Sequence, residues 1–303
     1  MLFLDSFEIL LLACENPITG FGDNKIVKRI NCTHNIFSPS PVMIVADPFL
    51  VVKDDVLYLF YEEYRYREKG IIKMTSTDDL VNWEQPKIVL QEDFHLSYPW
   101  VFQYEGQWYM LPETSAVHEV RLYKAVDNLF DRFELSDVLI ARGNCEQIPR
   151  MDFCDSSITE KEGIFYLFTT INVGRGNELH LYWSENIQGP FVEHTQSPLI
   201  VSDKYGRNGG SLIEWEDKLY RFAQDCDGEY GKNISLFEIN ELTRHKYDES
   251  LLQEDLLTKS GLKSGHQYNF VRFKGLNIVA VDQRIKIPYI GCKVKRLLKR
   301  WLK

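Results

Sequence analysis

The six cysteines of this 303-residue chain (Cys14, Cys32, Cys145, Cys154, Cys226, Cys292) show neither a CxxC pair nor zinc-ligand spacing. That argues against a redox dithiol or a structural zinc site and leaves buried or incidental thiols in a reducing compartment. Walker-type and GxGxxG phosphate loops are missing as well, so neither usual nucleotide-binding fold is indicated. Long apolar runs are absent. The opening MLFLDSFEILLLACENP has no basic lead-in, and Asp5 and Glu8 interrupt it, so it reads as neither a secretory signal nor a membrane span. The expectation is a cytoplasmic protein. Proline is scarce, at 11 residues, and no Pro-, Gly- or Ser-rich linker divides the chain.

What is present is apolar, aromatic and unevenly charged. Hydrophobic residues make up 44% and aromatics 13%, the composition of a folded globular protein. Residues 284–303 (RIKIPYIGCKVKRLLKRWLK) carry eight Lys/Arg and no acid, so the net charge of -9 becomes -17 once those eight are set aside. An acidic body with a basic tail does not fit a nucleic-acid binder.

The chain also repeats itself. ADPFLVVKDDVLYLFYEE (46–63), SYPWVFQYEGQWYMLPETS (97–115), CDSSITEKEGIFYLFTTIN (154–172), NGGSLIEWEDKLYRFAQDC (208–226) and HQYNFVRFKGLNIVAVDQR (266–284) align without gaps. Asp55, Gly106, Gly163, Asp217 and Gly275 fall at one turn position, and Tyr58, Tyr109, Tyr166, Tyr220 and Ile278 at another. Each unit reads as a β-hairpin with a two-residue turn. Between hairpins, IIKMTSTDDLVNWEQ, VRLYKAVDNLFDRFE, LHLYWSENIQGPFVEH and ISLFEINELTRHKYDE each supply two further strands. Four strands per unit at a period of fifty-odd residues predict an all-β, five-bladed β-propeller over residues 1–287. The fifth hairpin lacks outer strands of its own, so FEILLLA and NKIVKRI near the N-terminus are expected to complete it and close the ring.

Symmetric pairing about each turn sets Asp47 opposite Glu62, Tyr98 opposite Glu113, Asp155 opposite Thr170, Gly209 opposite Gln224 and Gln267 opposite Asp282. In a propeller these open ends gather at one mouth. Carboxylates there with Tyr98, Trp100 and Tyr268 suit a sugar: acids for hydroxyls and protons, flat rings for pyranose faces.

Asp47-Pro48, Tyr98-Pro99, Asp155, Gly265-His266, the phrase SxxxLVxWE (Ser76 to Glu84) and SENIQGPF (184–191) together resemble the five-bladed propellers of glycoside hydrolase family 43. SYPWVFQYEGQWYMLPETS more closely resembles the N-terminal domain of plant glucosamine inositolphosphorylceramide transferases and their stand-alone bacterial relatives. Over residues 40–284 the resemblance to the hydrolases implies a catalytic base at Asp47 and, at Asp155, a carboxyl that tunes a pKa and orients substrate. Where those hydrolases carry a Glu acid opening blade four, this chain has Asn208-Gly209-Gly210. An amide donates no catalytic proton. Glu113 or Glu62 is left to substitute, or the reaction is glycosyl transfer from a phosphate-activated donor, where little acid is needed. For that case Asp47 or Glu113 would deprotonate the acceptor, and Arg150 and Arg207 would hold the phosphate. His266 resembles a fifth-blade His that sits near the channel and at times near a metal ion; a divalent cation and a purely structural His are both open readings.

Residues 288–303 form a separate basic tail. Val294, Leu297, Leu298 and Trp301 fall at helical spacing, with Lys293, Lys295, Arg296, Lys299, Arg300 and Lys303 around them. This predicts a short amphipathic helix on an anionic membrane, each basic residue contributing ~1 kcal/mol, with a helix docked on the acidic body or a frayed terminus as alternatives. The expected activity is transfer of a sugar or sugar-phosphate to a glycan or lipid-linked acceptor in surface polysaccharide or glycolipid assembly. The expected pocket gathers Asp47, Glu62, Tyr98, Glu113, Asp155, Asn208, Gln224, His266 and Asp282. A hydrolase or phosphorylase and a non-catalytic glycan-binding module are the rival readings.

Overall fold

The computed structural model describes residues 3–18, 25–32, 40–141, 152–172 and 176–288. Arg150 and the basic tail beyond Pro288 lie outside the described residues. Five antiparallel sheets form the blades of a propeller. Blade one comprises Val42–Lys53, Val56–Arg65, Ile71–Thr77 and Lys87–Leu90. Blade two comprises Ser97–Tyr104, Gln107–Glu113, Glu119–Ala125 and Phe133–Ala141. Blade three is built on Asp152–Lys161, Ile164–Asn172 and Asn177–Ser184, and blade four on Lys218–Asp225, Asn233–Leu242 and Tyr247–Gln253 beside a short, broken inner strand. Blade five joins Tyr268–Phe273 and Leu276–Pro288 to Phe3–Cys14 and Lys25–Ile30. Phe3–Cys14 pairs with 277–288 without a break, so the N-terminal segment closes the ring as expected. Among the described residues no helix is long and apolar enough to cross a membrane.

All five hairpins turn on two residues with positive φ: Asp54-Asp55, Glu105-Gly106, Glu162-Gly163, Glu216-Asp217 and Lys274-Gly275. This is the twist-matched turn that the Gly/Asp register predicts. Five separate hydrophobic cores then fill the seams between neighbouring blades. In blade five, Leu10 and Leu12 pack toward Tyr220, Phe222 and Ile234 of blade four, while Ile9 and Leu11 pack toward Val45, Leu50 and Leu59 of blade one. Strand alternation therefore decides which seam each residue fills, and each buried Leu or Ile stabilises its seam by roughly 1.5–3 kcal/mol.

The structure corrects the expected register at the mouth. Ala46 rather than Asp47 faces Glu62, Ser97 rather than Tyr98 faces Glu113, and Cys154 rather than Asp155 faces Thr170. In each inner strand one extra residue forms a β-bulge, and Asp47, Tyr98 and Asp155 sit at it with φ of 53°, 48° and 49°. A bulge re-aims its side chain and holds a non-glycine residue in a costly conformation, a combination common beside functional sites. In blade four Arg207 rather than Gly209 faces Gln224, because the inner strand breaks at Gly209-Gly210. In blade five Tyr268 faces Val281, which keeps Gln267 opposite Asp282 as expected.

Candidate active site

The bulged ends converge on a cavity of about 420 Å³ whose walls include Asp47, Glu62, Tyr64, His95, Glu113, Asp155, Arg207 and Tyr230. Blade four stands across the ring from the seam between blades one and two, so Arg207 and Tyr230 oppose Glu62, Tyr64 and His95.

On the floor, Asp47 is buried and accepts the Tyr98 N–H at 3.0 Å, with His266 Nε2 3.0 Å from its Oδ1. Burial works against its charge, but the hydrogen bond and charge of His266 and the Tyr98 amide outweigh it and hold Asp47 below its ordinary range. Beneath His266, Asp282 accepts the backbone N–H groups of His266 at 2.7 Å and Gln267 at 3.1 Å. The second imidazole nitrogen, Nδ1, lies 3.2 Å from Asp282 Oδ2. Burial lowers the imidazole pKa, yet Asp282 and Asp47 carry it up to about 9, while burial raises Asp282 to about 6 against the pull of His266.

Asp47, His266 and Asp282 offer ligand atoms within 4.8 Å of one another, beside the His266 for which the sequence leaves a divalent cation and a structural role both open. The imidazole already lies between both carboxyls and offsets part of their charge, and Asp282 also accepts three backbone amides, those of Asp47, His266 and Gln267. A protonated His266 therefore fits this donor set better than a metal ion does.

On the opposite wall Arg207 Nε donates to Asp155 Oδ2 at 2.6 Å, and its second terminal nitrogen lies 3.9 Å from Glu113 Oε2. The guanidinium also stands 5.2 Å from the centroid of the half-exposed Tyr230 ring. Asp155 donates its backbone N–H to Glu113 at 3.2 Å. Burial pushes Asp155 up to about 8, with Arg207 opposing and Glu113 and Asp47 adding to the rise. The mouth thus keeps a proton into the neutral range beside a permanent cation, the arrangement that serves a phosphate or a developing oxyanion.

The sequence of residues 24–290 matches the family model described as glucosamine inositolphosphorylceramide transferase 1, N-terminal. The chain belongs to that N-terminal domain family. A glucosamine inositolphosphorylceramide transferase 1 from Oryza sativa subsp. japonica is 36% identical over 241 residues, covering 77% of this chain and 31% of the relative. The Arabidopsis thaliana protein of the same name is 32% identical over 251 residues, covering 80% and 31%. The chain therefore spans about a third of the length of the curated relatives it matches. Among solved structures, a family 117 glycoside hydrolase from Zobellia galactanivorans aligns with a TM-score of 0.56 at 13% identity, covering 93% of this chain and 90% of that one. A thermostable family-43 glycoside hydrolase aligns with the same TM-score and identity over 82% and 90%. At these identities the likeness is one of fold.

Within this member of the glucosamine inositolphosphorylceramide transferase N-terminal family, Asp47, Glu62, Glu113, Asp155 and Arg207, all candidates from the sequence, line one cavity. His266 and Asp282 lie just beneath. Other expected ligand contacts do work elsewhere. Tyr98 turns inward, its hydroxyl donating to Gly210 O at 2.5 Å, and Trp100 packs into the seam between blades two and three, stacked on Phe102. Tyr268 stacks on Phe222 and donates to Pro17 O at 2.7 Å. Asn208 is buried and donates its amide to Asp155 O at 2.8 Å, and buried Gln224 accepts from Cys226 Sγ. None of these five lines the cavity. Tyr98 sits at its bulge, and the blade-four pairing that holds Asn208 and Gln224 is shifted, whereas Trp100 and Tyr268 keep the expected pairing and pack into seams. Conversely, Tyr64, His95 and Tyr230 were not singled out. Tyr64 had a signal, since it lies two residues beyond Glu62 on one strand and so shares its face. His95 and Tyr230 come from connections that do not repeat.

Proposed function

We propose that this propeller is a carbohydrate-active domain that binds a phosphate-activated sugar at its mouth and transfers the sugar, or sugar-phosphate, to an acceptor in glycolipid or surface polysaccharide assembly. The observation that carries the reading is the wall formed by Arg207 and Asp155. A charged guanidinium beside a carboxyl that retains its proton into the neutral range suits a departing phosphate. The family supports it, since relatives of this chain are named transferases. The position of Asn208 tells against ordinary glycoside hydrolysis there, because its amide is consumed in holding the Asp155 backbone.

A second reading, a glycan-binding domain serving a catalytic partner, is favoured by the coverage of 31% of the relatives, which leaves most of their length for other chemistry. Incubation with a panel of nucleotide sugars separates the readings. Turnover of one donor, lowered at least a hundredfold when the phosphate-facing cation is removed in Arg207→Met, is expected for the transferase. Glycan binding with no turnover of any donor supports the binding domain, and release of nitrophenol from aryl glycosides supports a hydrolase.

The same proposal places the domain on the inner face of a membrane through residues 292–303, with a lipid-linked acceptor. Deleting them is expected to move the protein from anionic liposomes into the supernatant in a sedimentation assay; an unchanged partition rejects the attachment.

A further inference from the structure

The wall opposite Arg207 carries a second, separately built device. Glu62 is buried and lines the cavity, and its Oε1 lies 3.1 Å from His95 Nε2. The other imidazole nitrogen, Nδ1, accepts the Gly70 backbone N–H at 2.9 Å. An acceptor at Nδ1 must be unprotonated, so the proton sits on Nε2 and points at the carboxyl. The neighbouring carboxylates favour a charged His95 over the opposing effect of burial. A second proton, however, has no place at Nδ1 while the Gly70 amide occupies it.

Gly70 is fitted to this task. A Cβ there would lie 2.3 Å from Leu96 O, 2.7 Å from His95 Cε1 and 2.9 Å from Glu62 Oε1. The Leu96 N–H donates to Gly70 O at 3.1 Å, which pins the segment bearing His95 against blade one. Three elements thus combine to present one N–H to one carboxyl at the cavity wall. A seam that only needed packing would not require this.

We propose that Glu62, held by the Nε2–H tautomer of His95, takes the proton from the acceptor hydroxyl, across the cavity from the Arg207 wall that receives the leaving phosphate. The inference rests on the transfer reading above. In the step, the acceptor O–H breaks and its proton passes to Glu62. The acceptor oxygen bonds to the sugar anomeric carbon as the bond from that carbon to the phosphate oxygen breaks. The phosphate leaves with the bonding pair as an anion against Arg207, within reach of the Asp155 proton.

The residues divide the work accordingly. Asp47 is committed to His266 and the Tyr98 amide, and Glu113 already accepts the Ser115 hydroxyl at 2.7 Å and the Asp155 N–H. Burial and the Asp47 charge push Glu62 above the ordinary carboxylate range, while His95 and, more weakly, His266 pull it down. Glu113 acts on His95 through its charge, and Glu63, next on the strand, is occupied by Arg65 and Lys73. His95 is therefore a positioning residue: its N–H favours the ionised form of a carboxyl that burial disfavours.

The test is the titration of the Glu62 side-chain carbonyl, followed by carbon-13 NMR and assigned with Glu62→Gln. In His95→Ala the midpoint is expected to rise by about one pH unit, the equivalent of one lost hydrogen bond, and His95→Gln, which keeps an N–H donor, is expected to restore most of it. His95→Phe fills the volume without a donor and serves if the alanine variant does not fold. With a donor sugar in hand, the acidic limb of the kcat/KM profile should move with the midpoint. A midpoint unmoved in both donor-less variants overturns the Glu62–His95 pairing. A midpoint that moves while no donor turns over under any condition removes the transfer reading and the base role with it, and leaves the hydrogen bond as structure.

Discussion

An Arg207→Met protein is expected to lose about 3–5 kcal/mol of folding stability at pH 8, measured by urea denaturation, together with all donor turnover. The guanidinium is mostly buried, makes a 2.6 Å charge-assisted bond to Asp155 and faces Glu113 at 3.9 Å. Methionine replaces its volume but leaves two buried carboxyls without their cation. The size of the loss should depend on pH in a defined direction. Asp155 already titrates above its ordinary range, near pH 8, and without Arg207 its folded pKa rises further. Such a group stabilises the fold fully below its unfolded pKa of about 4 and loses that contribution as pH rises through the folded value. Both proteins lose this contribution in parallel up to the wild-type folded value, so the penalty of Arg207→Met is expected to stay level from pH 5 to 7 and to grow as pH rises from 7 through 8 toward 10. A penalty that is constant with pH would mean that the arginine acts through packing on Tyr230 rather than through charge.

Gly210→Ala is expected to be comparably damaging, costing on the order of 3 kcal/mol and leaving little soluble protein. An added Cβ would stand 2.0 Å from Tyr268 O, a backbone atom of the innermost strand of blade five, and 3.4 Å from the Phe222 ring. Neither neighbour has room to retreat. The Gly209 carbonyl accepts the Tyr268 N–H at 2.8 Å, and the Gly210 carbonyl accepts the Tyr98 hydroxyl across the axis. The Gly-Gly pair is thus the point where blades two, four and five meet. Thermal denaturation of whatever soluble fraction is recovered checks the direction, and a variant with wild-type stability would show that blade five is displaced from blade four in solution.

The propeller was readable from the sequence because its repeating parts have strong chemical signatures. A two-residue hairpin turn needs two positive φ values, and Gly or Asp at Asp55, Gly106, Gly163, Asp217 and Gly275 announces it. Alternating apolar residues such as Ile9, Leu10, Leu11 and Leu12 then find opposite seams. The bulges left no such mark. Their left-handed positions hold Asp47, Tyr98 and Asp155, types that an ordinary strand also accommodates, so a gapless pairing missed the inserted residue. Trp100 keeps its expected partner, Leu111, yet its face of the strand fills the seam between blades two and three rather than the mouth. The cavity itself was half legible. Acids on inner strands were found by their shared register, whereas His95 and Tyr230 arrive from connections where no repeat constrains the residue type, and only the folded chain shows that they face the same space.

A crystal structure of the protein grown with a nucleotide sugar it turns over, or with that donor's nucleoside diphosphate, would test the central claim most directly. The account predicts the diphosphate within hydrogen-bonding distance of Arg207, beside Asp155 and Tyr230, with the sugar directed toward Glu62. Donor density on an outer blade surface, with the mouth cavity holding none, would contradict it.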